Sequence, residues 1–251
     1  MLATLCFSSV GELAAQEDSK EQALPFVQYS EQDSRYLTRL HRRESYPLAV
    51  DDLTARQLPR WQMTARKRLV ELLGMNQLEK TTRGHRYRVS LQEPIQNDGF
   101  IRRLGSIETE PGVHVPFWLL VPSGDSSIKR PLAICAQGHG GNSWNNYAGI
   151  YADEAERLKA TERHSTPGLE AVRRDYITIV PAVRGLASVV AVADPKGRHG
   201  NQPCRAQLVH CLLAGRTAIG ERVWDCQRIL DWALSELSQV DSGKVLSLIH
   251  I

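Results

Sequence analysis

The 251 residues predict an α/β chain: antiparallel lead-in strands feed a parallel sheet, and a small helical segment precedes both. Three observations carry this. Near Arg86 the side-chain period changes from helical to alternating. Two short apolar runs, at 132–136 and 176–180, show no alternation, as expected of strands buried on both faces. Helical patterns follow both runs. Strand, helix, strand, helix, strand in one chain means a parallel sheet with right-handed crossovers.

Residues 31–75 read as helical: Trp61, Ala65, Leu69 and Leu72-Leu73 recur at helical spacing, and Gly74 is a stop signal. Tyr87, Val89 and Leu91 alternate with polar residues, as in a half-buried strand. A second strand is expected over 100–108, a turn at Glu110-Pro111-Gly112, and a third strand over 115–121. Pro116 lacks a backbone donor, so that third strand is expected to lie near a sheet edge or to begin there. The buried run Leu132-Ala133-Ile134-Cys135-Ala136 ends in Gly138-His139-Gly140-Gly141-Asn142. A helix with Tyr147, Tyr151, Ala155 and Leu158 on one stripe is expected next. The second buried run ends in Pro181-Ala182-Val183-Arg184-Gly185, and an irregular stretch runs on to Gly215. Ile219, Val223, Cys226, Leu230, Leu234 and Leu237 then form one helical face, and Val240-Asp241 with Lys244-Val245 opens a further strand.

A formal charge of +3 is too small to draw the chain to nucleic acid or an anionic membrane. Its basic pairs stand apart on helical segments and read as solvated faces. No apolar run is long enough to span a bilayer. The apolar start Met1-Leu2-Ala3-Thr4-Leu5-Cys6-Phe7 and the candidate cleavage site Leu13-Ala14-Ala15 suggest an exported protein, secreted or periplasmic. The missing positive n-region and the bulk of Leu13 argue the other way, toward a cytoplasmic location. The five cysteines are not a disulfide framework; Cys204 and Cys211 are left as a candidate pair.

The strongest local signal for chemistry is the Gly-His-Gly-Gly run directly after a buried strand. Glycines there free backbone N–H groups to face an anion, which acyl transfer needs for its tetrahedral intermediate. The run lacks the Gly-x-Gly-x-x-Gly spacing of a dinucleotide turn, so no cofactor is expected. His199, Cys204, His210 and Cys211 fit no compact zinc spacing, and no metal is expected. Asp194 and Asp225 are acids of the kind a triad uses, but no serine sits on a recognisable elbow. Ser143 reads as a helix N-cap. His139 reads as a structural hydrogen-bonding residue rather than a base. Arg184 suits either a substrate carboxylate or a loop anchor.

These elements together resemble the front part of the α/β-hydrolase fold, and more narrowly the bacterial acetyl xylan esterase and dienelactone hydrolase group. The anchors are His139-Gly140-Gly141, Arg184-Gly185 and the Trp224-Asp225 helix, within residues 30–245. The resemblance implies a serine hydrolase of carboxylic esters, small-molecule or polysaccharide, with Gly140 and Gly141 in the oxyanion hole and Arg184 toward the substrate. It also implies a Gly-x-Ser-x-Gly elbow after the strand that begins at Val240. The chain departs there: it ends Leu246-Ser247-Leu248-Ile249-His250-Ile251, with no such elbow anywhere. Nucleophile, acid and base are therefore expected beyond residue 251, and this piece is expected to be inactive. The six-residue ending is one translation of CTG TCT CTT ATA CAC ATC, which resembles a transposase adaptor, so His250 is not taken as a base. The expected layout is 1–24 leader remnant and linker, 25–80 helical segment, 81–245 hydrolase domain and 246–251 adaptor tail. Alternatives are a peptidase or C–C hydrolase on the same fold, or a non-catalytic carbohydrate-binding or scaffold relative. The oligomeric state is left open.

Overall fold

A computed structural model describes residues 27–40, 47–50, 53–139, 143–186 and 203–249. The chain forms two compact units, residues 1–61 and 62–251. The proposed leader and its cleavage site lie outside the described residues.

In the first unit, helix α1 (Val27–Leu40) carries a Glu31–Arg35 ion pair one turn apart, and its described side chains are exposed. Trp61 donates its indole N–H to the Leu48 carbonyl at 3.0 Å. Helix α2 (Leu58–Leu72) begins in this unit and buries no residue, so the apolar stripe from Trp61 to Leu72 exists but is not covered. Gly74, at φ 70°, separates it from α3 (Met75–Thr81).

The second unit is built on one sheet. Its strands are β1 (Val89–Leu91), β2 (Ile95–Asn97), β3 (Phe100–Glu110), β4 (Val113–Pro122), β5 (Arg130–Ala136), β6 (Ile177–Pro181) and β7 (Val240–Ile249). Their order is β1-β3-β4-β6-β5-β7, with β2 also paired to β3. Pairing is antiparallel through β4–β6 and parallel for β5 with β6 and β7, so a meander does feed a parallel sheet.

Alternation along β5 and β6 explains why their sequences look uniformly apolar. Leu132, Ile134, Ile177 and Ile179 pack on one face with Phe117, Ile229 and Trp232. Ala133, Cys135 and Val180 pack on the other with Trp144, Tyr147 and Val172. Both faces are covered, so neither needs polar residues.

The remaining helices are α4 (Ser143–Tyr147), α5 (Glu154–Glu162), α6 (Pro167–Arg173), α7 (Pro203–Leu213) and α8 (Ala218–Glu236). Several expectations are corrected. β4 lies inside the strand order, between β3 and β6, and it begins at Val113 rather than at Pro116. Pro116 is tolerated because it stands one residue before the β4–β6 ladder opens at Phe117, and its carbonyl still accepts the Ala182 N–H at 2.8 Å. The single helix expected across Tyr147 to Leu158 is two, broken at Gly149 (φ 75°) and restarted where Asp153 caps the Glu156 N–H at 2.8 Å. Leu158 is accordingly exposed. Helix α7 occupies part of the stretch expected to be irregular up to Gly215.

The face of α8 is also rotated. It buries Trp224, Asp225, Ile229, Trp232 and Ala233, whereas Ile219 is 60% exposed. Within the second unit α3 docks on α8, with Met75 and Leu78 buried against Trp224.

Candidate functional site

The carboxyl ends of β5, β6 and β7 point the same way, and in parallel sheets that rim is where ligands bind. Ala136, the last residue of β5, is level with Ile249 of β7. A turn leaving β7 would therefore stand beside the turn Gln137-Gly138-His139, about one strand spacing (~4.8 Å) away. The expected oxyanion glycines Gly140 and Gly141, with Asn142, lie outside the described residues. Ser143 is the first residue of α4.

Arg184, just past β6, is 4% exposed and spans a buried cluster of acids. Its Nε and Nη2 donate to the two carboxylate oxygens of Asp225, both at 2.7 Å, and its Nη1 donates to Glu110 at 2.8 Å. Arg216 closes the cluster by pairing with Glu110 at 2.9 Å and Glu221 at 3.3 Å. Thr109 donates to Asp225 at 2.6 Å. Arg222 fixes the same loop with its side chain, its Nε donating to the Arg184 backbone carbonyl at 2.9 Å. Burial alone would weaken the charge on Arg184, but its hydrogen bonds to Asp225 and the surrounding carboxylates outweigh it and hold the guanidinium protonated. Of the two roles read for Arg184, this is the geometry of a loop anchor: β6's exit is tied to β3 and α8.

Between β5, β7 and α8 lies a cavity of about 680 Å³. Ile134, Val183, Leu186, Ile219, Val223 and Val245 give it apolar walls. The stripe expected to bury α8 thus partly faces this cavity instead. Gln137, 2% exposed, lines it with both amide atoms unbonded. His139 also lines it, and its Nε2 lies 3.2 Å from Cys204 Sγ at the start of α7.

Cys204 and Cys211 sit two turns apart on one helix, about 10 Å by helical rise, beyond the reach of a disulfide. Both are free thiols. Burial pushes the thiols of Cys135 and Cys226 up to about 12, and that of Cys211 up to about 11. Asp225 serves Arg184 and Thr109 rather than a histidine. Asp194 and His199 lie outside the described residues. Among the described residues no three His, Cys, Asp or Glu side chains gather as metal ligands, and no helix is long and apolar enough to cross a membrane.

Sequence reading missed Gln137 and the partners of Arg184. The one available signal for Gln137 was a lone amide placed directly after a fully apolar strand.

The strand order and the rim together define an α/β fold of the hydrolase type. No protein-family model and no curated protein matches the sequence. Among solved structures, the chain resembles a Bacteroides fragilis protein assigned as an acetyl xylan esterase, with a TM-score of 0.63 at 15% identity over 92% of this chain. It spans 56% of that structure's length, little more than half. An acetyl xylan esterase from a Paenibacillus species gives a TM-score of 0.48 at 15% identity, covering 71% of this chain and 50% of that one. One from a Thermoanaerobacterium species gives 0.48 at 14% identity, covering 72% and 50%.

Proposed function

We propose that this chain is the front part of a serine-dependent carboxylic-ester hydrolase acting on a small-molecule or polysaccharide ester such as acetylated xylan. The observation that carries the reading is the parallel pairing of β7 with β5, which sets Val245 level with Leu132. A nucleophile on a turn after β7 would lie beside the glycine turn after β5, the relation an oxyanion hole requires. In this reading the Gly140 and Gly141 backbone N–H groups, with the N–H after the nucleophile, hold the oxyanion. The serine attacks the ester carbonyl while a histidine takes its proton, and an acid orients that histidine. Arg184 supports the rim from beneath through Asp225 and Glu110 rather than by touching the ester. No Gly-x-Ser-x-Gly turn occurs in these 251 residues, so the triad of this reading is sought outside them, and the reading takes the protein to be exported.

The test is to resequence the locus from adaptor-free DNA past codon 245 and express the frame found there. A Gly-x-Ser-x-Gly within a few residues, with p-nitrophenyl acetate turnover lost when that serine becomes alanine, is the expected result. A frame that keeps the present ending, or continues without an elbow, overturns the reading in favour of a non-catalytic relative.

A further inference from the structure

Helix α2 has a feature that ester hydrolysis does not use. It carries Arg60, Arg66, Lys67 and Arg68 against one acid, Glu71, and buries no residue. In its second-unit part, 3.6 residues per turn place Ala65, Leu69 and Leu72 within about 60° of arc. Arg68 stands at one border of that stripe and Arg66 at the other, with Lys67 on the far side. Leu69 is 53% exposed and Leu72 58%, and Met63 and Val70 add exposed apolar surface beyond Arg66. Arg68 pairs with Glu71 at 3.0 Å, whereas Arg66 and Lys67 make no ion pair among the described residues. The end of the helix is fixed, because the Thr217 hydroxyl donates to the Leu73 carbonyl at 2.9 Å.

We propose that α2 lies flat on an anionic lipid surface, with Leu69 and Leu72 at the acyl boundary and Arg66 and Arg68 on the headgroup phosphates. An apolar stripe bordered by arginines matches that layering, because long basic side chains bury their stems and keep their charge at the phosphates. The chain's formal charge of +3 is no obstacle. Only charges within about a Debye length, ~8 Å, feel such a surface, and these stand together on one helix. A second copy seated on the same stripe would bring like charges together, and nucleic acid would leave the leucines in water. At 15 residues the helix is too short to cross a bilayer, so it rests on one face. This surface goes beyond the ester-hydrolase reading and does not depend on it.

The test is flotation of the 251-residue chain with vesicles of equal parts phosphatidylcholine and phosphatidylglycerol, beside vesicles of phosphatidylcholine alone. Affinity for the anionic vesicles should exceed that for the neutral ones by about tenfold or more, and molar salt should release the protein. Arg66→Gln with Arg68→Gln should weaken anionic binding by about tenfold or more. Leu69→Ser with Leu72→Ser keeps every charge and should weaken it by a similar factor. Leu158→Ser, at a position 56% exposed on α5, should leave binding unchanged. All these side chains are exposed, so each variant should melt with the parent, and the lipid comparison on the parent needs no variant. Equal flotation on both vesicles, or full binding by the leucine pair, overturns the proposal. A dimer in light scattering that the leucine pair abolishes overturns it in favour of a second copy. An elbow serine found later would leave these outcomes unchanged, so the two readings fail separately.

Discussion

At the scale of single residues, Arg184 is the side chain whose loss should be felt most. It neutralises Asp225 and Glu110 where water cannot, and carboxylates stranded without their cation are costly. Arg184→Met should therefore lower unfolding free energy by about 3–5 kcal/mol, measured by urea denaturation of the 251-residue chain. A loss under about 1 kcal/mol would mean the cluster relaxes or takes in water. Arg184→Lys should recover only part of the loss, because an ammonium cannot span both oxygens of Asp225 while also reaching Glu110. Arg184-Gly185 stood out in the sequence, with a loop anchor as one of its two candidate roles, but its partners did not. The partners lie 41 and 74 positions away, and nothing local tells a buried Glu110 from the exposed acids around it. Gln137 was hidden for a different reason: whether an amide is bonded depends on what packs over it, which no spacing encodes.

At the scale of elements, α8 shows what periodicity can and cannot deliver. Its length and start were legible, since Thr217 caps the Gly220 N–H and the apolar spacing runs without a break. Its docking face was not, because the helix carries two apolar faces and sequence cannot rank them. One packs Trp232 on Phe117 at 5.2 Å between ring centroids, and the other lines the cavity. Trp232→Ala should cost about 3–5 kcal/mol in urea denaturation, whereas Ile219→Ser should stay within about 0.5 kcal/mol. The reverse ranking would mean the helix docks by its other stripe. The close seat of α8 gives an independent check. A Cβ at Gly220 would come within 1.9 Å of the Leu73 carbonyl oxygen, so the backbones of α8 and the segment before α3 must separate to admit it. Gly220→Ala should lower the midpoint of thermal unfolding, by a cost of about 1–3 kcal/mol. An unchanged midpoint would show that the two segments part freely.

At the scale of the whole molecule, the α/β class and the antiparallel-to-parallel change were legible, because side-chain period and strand burial are written locally. Strand order was not spelled out by any segment, so Pro116 alone could not show that β4 lies between β3 and β6. β7 closes the order with no further strand beside it among the described residues, and its Val245 and Leu246 are 41% and 39% exposed. Such an edge invites pairing between molecules, and lysine blocks it. Val245→Lys with Leu246→Lys should reduce light scattering from concentrated protein without lowering its thermal midpoint by more than a few degrees. Unchanged scattering would place self-association elsewhere. The insertion of β6 between β4 and β5 also has a bearing on synthesis. β3 and β4 leave the ribosome as a finished hairpin, yet the neighbour that covers β4's other side begins only at Ile177. Residues 123–176 must first be translated, which at about 5–20 residues per second takes on the order of several seconds. Throughout that interval the nascent hairpin offers an open backbone edge carrying Phe117, Leu119 and Leu120, so a holding chaperone or a paused neighbouring chain meets this protein first at β4.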